Sequence, residues 1–465
     1  MPRTRTALVS LFSPFSLFTM LTASAPRAEV RRVPSAYPTI QAAIDAATAG
    51  DVVLVAPGSY SGAGNVDLDF HGVDLVCRSE EGARSTTLQV GPPVGQRAFH
   101  LHGGETRGAI IEGFTILGGV AADGGAIACR NASPTIRDCV IDQCRAGRGG
   151  GLFLEASSAL VERVTVTRCR ANYDGAPDDN GAALFLLDSD AEFEDCAFAG
   201  NFASGFPHTP AAVFLRGGGT LRRCVASGNE GIGISADRAH LDHCVVAFND
   251  KQEIDVVTTV EIEGTIIRDT CDANDLFLQP GSMATISCSM LQPSKVDGAG
   301  AVRYVTSPIT SNPNFCDIPN CPSIPSVDGF FAVGSDSPAR PENNPCGDFL
   351  GAIYSNSCDP AAVATRPRDD APRLVEVGPN PTRGGIEVGF WLPRPAAVTL
   401  TLVDPAGRRL AVLANEEWPA GLNRWRGRVH GKETPALPAG VYAVVLESAD
   451  AQSTTNVVLL PAASE

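Results

Sequence analysis

A pattern of apolar and polar positions recurs along the middle of the chain at fixed offsets. The segment Thr135–Cys144 (Thr-Ile-Arg-Asp-Cys-Val-Ile-Asp-Gln-Cys) returns as Leu160–Cys169, Glu192–Asn201, Thr220–Asn229 and His240–Asn249, with weaker copies at Ile110–Gly119 and Glu261–Thr270. The first apolar residues of these copies form a series of anchors: Ile111, Ile136, Val161, Phe193, Leu221, Leu241 and Ile262. Three residues on stand Phe114, Cys139, Val164, Cys196, Cys224, Cys244 and Thr265; five residues on stand Ile116, Ile141, Val166, Phe198, Ala226, Val246 and Ile267. Offsets three and five share one face of a strand, because side chains alternate across it. A second strand that opens on glycine precedes several copies, as in Gly149–Leu154 and Gly181–Leu186.

A coil of such short strands cannot bury its inner face alone. Stacked about 4.8 Å apart, successive coils pair every strand in parallel and close a continuous core. The anchors lie 20 to 32 residues apart, which suits one solenoid turn and is too short for crossover helices. The expected fold is therefore all-β, a parallel β-helix solenoid. Cys196, Cys224 and Cys244 then stack in the core as free thiols. Asn201, Asn229 and Asn249, eight residues after their anchors, form a column of amides that can hydrogen-bond along the axis. Cys144 and Cys169 hold the same offset and are expected at a surface-facing turn, as a pair open to oxidation.

An open solenoid needs its ends covered. Tyr37–Gly50 reads as an N-terminal cap: Thr39 suits an N-cap, and Ile40, Ala43, Ile44 and Ala47 form one apolar helical stripe. Val52–Val55 is then expected to begin the first rung. At the other end Cys316, Cys321, Cys346 and Cys358 lie outside the repeat among Pro, Asn and Gly. Four cysteines allow three pairings, and Cys316–Cys321 with Cys346–Cys358 is the pairing expected. Residues 33–358 make up the solenoid and its caps, and 359–373 a Pro-, Asp- and Ala-rich linker. Residues 374–465 hold no cysteine and read as strands separated by turns, a small β-sandwich.

Three stretches resemble known families. Tyr37–Ala47 followed by Gly50–Tyr60 resembles the opening of pectate-lyase-like, right-handed β-helix proteins, and the likeness spans about residues 33–355. It implies the right-handed fold and no particular activity, since lyases, hydrolases, esterases and inactive adhesins share it. Asn343–Ile353 resembles the terminal closure of secreted bacterial β-helix repeat proteins. Pro379–Pro381, Val403–Leu410 and Pro438–Val444 resemble the C-terminal sorting domains of type IX secretion and the immunoglobulin-like module of flagellar hook-capping proteins. That likeness implies delivery to, or attachment at, a cell surface.

Composition narrows the picture further. The 47 glycines and 34 prolines suit many strands joined by tight turns. A formal net charge of −16, with no Lys/Arg-rich run, excludes a general nucleic-acid binder. Residues 1–28 read as an export signal: Arg3 and Arg5, an apolar run from Ala7 to Leu21, then a small-residue cleavage site at Ala23–Ala25 or after Ala28. A secreted or surface-held monomer is the expectation.

Candidate chemistry gathers where inserts leave one corner of successive coils: Arg145–Arg148, Arg170–Asn180 and Phe202–Pro210, with Ala121–Asp123 before them. Lying side by side, they would offer Asp123, Asp174, Asp178 and Asp179 as a Ca²⁺ set, and Arg170, Tyr173, Phe206 and His208 to hold sugar. Clustered carboxylates also suit acid/base work, with Asp174 and Asp178 as catalytic candidates. In a lyase scheme Arg148 would take the proton. No polygalacturonase-like Gly-His-Gly, pectin-methylesterase-like Gly-x-Tyr-x-Glu, Gly-x-Ser-x-Gly, His-Glu-x-x-His or P-loop occurs. The sequence thus favours a non-catalytic protein that binds polysaccharide, acidic or neutral, over a polysaccharide lyase or glycoside hydrolase.

Overall fold

The computed structural model describes residues 28–91, 95–172, 181–204, 211–268, 274–317, 330–333 and 336–352, and beyond them 373–378, 385–392, 396–403, 408–418, 421–428, 440–448 and 452–459. Most of the stretch read as an export signal, and most of the expected linker, lie outside these residues. The chain forms two compact units, Met1–Ser311 with Ile318–Gly329, and Asn312–Asp317 with Phe330–Glu465.

The first unit is a parallel β-helix. A twelve-stranded front sheet runs from Val30–Val33 to Ala301–Tyr304, a nine-stranded side sheet from Gly58–Tyr60 to Ile266–Arg268, and a nine-stranded back sheet from Phe99–Leu101 to Val296–Gly298. The anchors read from the sequence are Cα partners from rung to rung, Ile111 to Ile136 to Val161 to Phe193 to Leu221 to Leu241 to Ile262. The apolar residues at offset five pair likewise across the side sheet. These residues are buried and belong to one core cluster that runs from Val33 to Leu291.

Left-handed backbone recurs at three corners of the rungs, one of them after the back-sheet strands at Asn131, Ala156, Asp188 and Arg238. Of the other two, Asp138, Arg163, Asp195, Arg223 and His243 occupy the first at φ between 50° and 54°, and Gln143, Arg168 and Phe248 the second at φ between 50° and 60°. The first corner stacks opposite charges: Arg163 Nε lies 2.7 Å from Asp138 Oδ1, and Arg223 Nε 2.8 Å from Asp195 Oδ1. Pairing along the column offsets part of the strain of left-handed non-glycine residues.

The second corner corrects one expectation. Cys144 and Cys169 are not at the surface; they are 1% and 0% exposed. A residue with positive φ just before them (Gln143, Arg168) turns the chain so that the next side chain points into the core. Asn201, Asn229 and Asn249 point inward for the same reason and form the expected amide column. Asn201 Nδ2 donates to Asn229 Oδ1 at 3.0 Å, and Asn229 Nδ2 to Asn249 Oδ1 at 2.9 Å. Asn249 Nδ2 donates to Glu253 Oε2 at 2.5 Å, so a buried carboxylate receives the end of the column. The same Asn oxygens accept backbone N–H groups of the preceding rung, Cys169 N at 2.9 Å and Asn201 N at 2.8 Å.

All eight described ladder cysteines, from Cys77 to Cys244, are free and buried. Burial pushes the Cys139 thiol up to about 12 and raises those of Cys169 and Cys224. Cys288 and Cys346 are disulfide-bonded. Cys288 was not among the expected disulfide residues. Cys321, Cys358 and the side chain of Cys316 lie outside the described residues.

The N-terminal cap differs from expectation at its edge. Helix Ile40–Asp45 has Thr39 as N-cap, accepting from Ala42 N, and buries Ile40, Ala43 and Ile44. Ahead of it, however, Val30–Val33 already pairs in parallel with Val52–Val55, so the front sheet begins before the helix. Asp51 fastens that strand: its carboxylate accepts from Glu29 N at 2.7 Å and Thr48 N at 2.9 Å and pairs with Arg31 at 2.9 Å. These backbone donors hold its carboxyl well below the usual range.

The second unit contains a three-stranded and a four-stranded antiparallel sheet between Arg373 and Leu459. Ile386, Val388, Phe390 and Leu392 of one sheet share a core with Val398, Leu400, Leu402, Val444 and Leu446 of the other, which makes a small β-sandwich.

Candidate functional site

The insert corner assembles as expected at its base. Val120–Asp123, Arg145–Arg148, Arg170–Asn172 and Phe202–Ser204 form a short parallel sheet. Val120, Arg145, Arg170 and Phe202 are partners in one row, and Ala121, Ala146, Ala171 and Ala203 in the next. The alanine row is buried, which turns Arg145 and Arg170 outward. The Arg170 guanidinium lies 5.8 Å from the Phe202 ring centroid. Tyr173, Asp174, Asp178, Asp179, Phe206 and His208 lie outside the described residues.

Two described candidates, Arg148 for the proton and Asp123 for Ca²⁺, engage each other. Arg148 Nε lies 2.8 Å from Asp123 Oδ1 and its second nitrogen 3.1 Å from Oδ2, while Arg130 approaches Oδ2 at 2.5 Å. Arg148 also covers the Phe153 and Phe185 rings at 5.0 and 5.5 Å. Those rings continue to Phe214 in a parallel stack with centroids 5.7 and 5.3 Å apart. Two Arg148 nitrogens are engaged by the Asp123 carboxylate and its guanidinium lies over two ring faces, so this geometry lends no support to Arg148 as a proton acceptor. Asp123, with both oxygens occupied, does not fit a Ca²⁺ ligand as placed. Among the described residues no group of three or more His, Cys, Asp or Glu is arranged to hold a metal ion.

A different feature offers room for a ligand. On the outer face of the front sheet a groove of about 580 Å³ crosses successive rungs from Asp190 to Thr285. One side is the row just before the anchors, Thr220, His240, Glu261 and Thr285, which are Cα partners in sequence. Asp190, Arg238, Thr259 and Met283 flank it, and Gly219, Ala239 and Val260 lie between. Ala239 and Val260 turn into the core at 5% and 1% exposure, so the floor is largely backbone. His240 Nδ1 stands 3.4 Å from Glu261 Oε2, and Glu261 is 74% exposed. Met283, 45% exposed, places a flexible apolar side chain at one end.

None of these groove residues was a candidate in the sequence. The available signal was slight: the residue before each anchor is polar in these rungs, which also describes any solvated strand face. What makes the groove is the relief between two rows, and relief depends on how the corner residues Gly219 and Arg238 turn.

A family model for the right handed beta helix region matches residues 94–250. No curated protein matches the chain. Together with the long parallel sheets, the match defines a right-handed parallel β-helix protein carrying a small antiparallel β-sandwich.

Proposed function

We propose that this is an exported, non-catalytic β-helix protein that holds polysaccharide on the outer face of its front sheet. The groove from Asp190 to Thr285 carries the reading. It repeats hydrogen-bonding side chains at the strand spacing of about 4.8 Å, open along its length, as an extended chain of hydroxylated units requires. Its side chains are hydroxyls, carboxylates, a guanidinium and an imidazole beside exposed Met283, a mixture that suits sugar hydroxyls and the C–H faces of pyranose rings. The insert corner, with Arg145 and Arg170 outward, extends the surface available to glycan. The C-terminal β-sandwich is proposed as the attachment module, in line with its resemblance to surface-sorting domains.

The test is incubation of the mature protein with a panel of insoluble and soluble polysaccharides, with Ca²⁺ or with chelator. Pull-down and mass spectrometry of the sugar are the two readouts. Saturable retention without new chain ends supports the proposal. New unsaturated or hydrolysed ends would make the protein a lyase or hydrolase, and chelator sensitivity would then show that the reaction needs a divalent cation. Retention by no member of the panel would leave a purely structural solenoid.

A further inference from the structure

Beyond offering a place for glycan, the groove has a charge, and we infer that it selects uncharged glycans and turns polyuronates away. The inference rests on the binding reading, since it concerns the same face. The groove and the solvent-facing rows along it present Asp190, Glu192, Glu194, Asp242, Glu261 and Glu263 against Arg222, Arg238 and, next to Thr285, Arg303.

Local ion pairs remove only part of that excess. Glu192 has Arg107 at 2.7 Å, Glu194 has Arg223 at 3.5 Å, and Asp242 has Arg222 at 3.9 Å. Arg238, the cation in the groove itself, stands 3.9 Å from Asp237. Asp190, Glu261 and Glu263 are exposed carboxylates along the same stretch, and Glu261 faces only the His240 ring at 3.4 Å among the ion pairs. The net charge of −16 over the whole chain acts in the same direction.

Rungs about 4.8 Å apart lie well inside the screening length of about 8 Å at physiological salt. A polyuronate carries one carboxylate on each sugar, so units seated beside Asp190 or Glu261 would meet like charge. A neutral glycan meets the same groups as acceptors. Its hydroxyls donate to Glu261 and Asp190 in charge-assisted hydrogen bonds and exchange ordinary ones with Thr220, Thr259 and Thr285.

The experiment is titration calorimetry of the full mature chain, without Ca²⁺, against cellohexaose, xylohexaose and hexagalacturonate at low and at physiological salt. At least one neutral hexamer is expected to bind, with hexagalacturonate at least about tenfold weaker at low salt and the gap narrowing as salt rises. The double variant Glu192→Gln, Glu263→Gln changes two carboxylates beside the groove and outside its lining; it is expected to keep neutral binding and narrow the gap. Hexagalacturonate binding as tightly as the neutral hexamers, or a gap that the glutamines leave unchanged, overturns the inference and leaves the binding reading standing. Absence of binding by every hexamer overturns both.

Discussion

Asp255 lies on the outer row of the back sheet, between Ser235 and Phe277, and is 5% exposed. Burial raises its carboxyl above the usual range, against weaker support from Gln279 Nε2 at 2.9 Å and Ser235 Oγ at 3.3 Å. A raised carboxyl means the folded chain keeps its proton to higher pH than the unfolded chain. Stability linked to this group is therefore greatest in acid and is lost as pH rises from the ordinary carboxylate value through the raised one. Asp255→Asn is expected to stabilise the protein at pH 7 and to make no difference in acid, as read by denaturant melts at both. Asp51 has the opposite sign: its depressed carboxyl contributes above the ordinary value and loses that contribution as the solution is acidified. The ladder thiols give a second residue-scale test. With all eight described ladder cysteines buried and free, a thiol reagent should label none of them in the native protein and all of them in denaturant; fast native labelling of Cys144 or Cys169 would contradict their inward placement. Their direction was not legible in the sequence, because it is set by the left-handed residue before each, and Gln143 and Arg168 carry no glycine-like signal for that conformation.

At the scale of elements, rung register was legible almost residue by residue. Anchors such as Phe193 and Leu221 pair as the apolar offsets require, because a one-residue slip would turn each inner face to solvent. The amide column was legible too, yet its end on Glu253 was not. That carboxylate lies in the following strand and looks like a surface residue until the fold buries it at 0% exposure. Asn229→Ala should cost about 2–4 kcal/mol, since the buried amide of Asn201 and the N–H of Asn201 both lose their acceptor. A melt that shifts by less than a single surface substitution would refute the column as a structural element. In the cap, Ile44 is 2% exposed; Ile44→Asp should expose amides in Val30–Val33 and Val52–Val55 to hydrogen exchange first, leaving rungs beyond Leu221 protected. The groove escaped the sequence because it is made by relief between rows, whereas the insert corner stood out as extra length between copies.

Among the described residues the solenoid core, from Val33 to Leu291, is a separate cluster from the β-sandwich core around Val388, Leu400 and Leu446. Two cores predict two calorimetric transitions. The β-sandwich should melt without loosening the amide column, and a single cooperative transition followed by both far-UV signal and column protection would contradict that. A solenoid followed by a sandwich was legible because the repeat ends before a Pro-, Asp- and Ala-rich linker and a cysteine-free run of strands and turns follows it. The sequence singled out the insert corner by its extra length and passed over the groove, since every face of a solenoid repeats the same inward residues and differs only in what decorates the outside.

The column of asparagines also bears on how such a chain can grow. Each amide donates toward the next rung, so donors and acceptors are consumed in one direction until Glu253 accepts without donating in return. The stretch 221–240 holds one anchor and one member of the column, Asn229. Duplicating those twenty residues in tandem would insert another link and leave every amide matched. Duplicating the stretch that contains Glu253 would instead set a carboxylate in mid-column, where the following rung finds no donor to continue from. Lengthening by a copy of 221–240 thus continues the column, whereas a copy that carries Glu253 interrupts it.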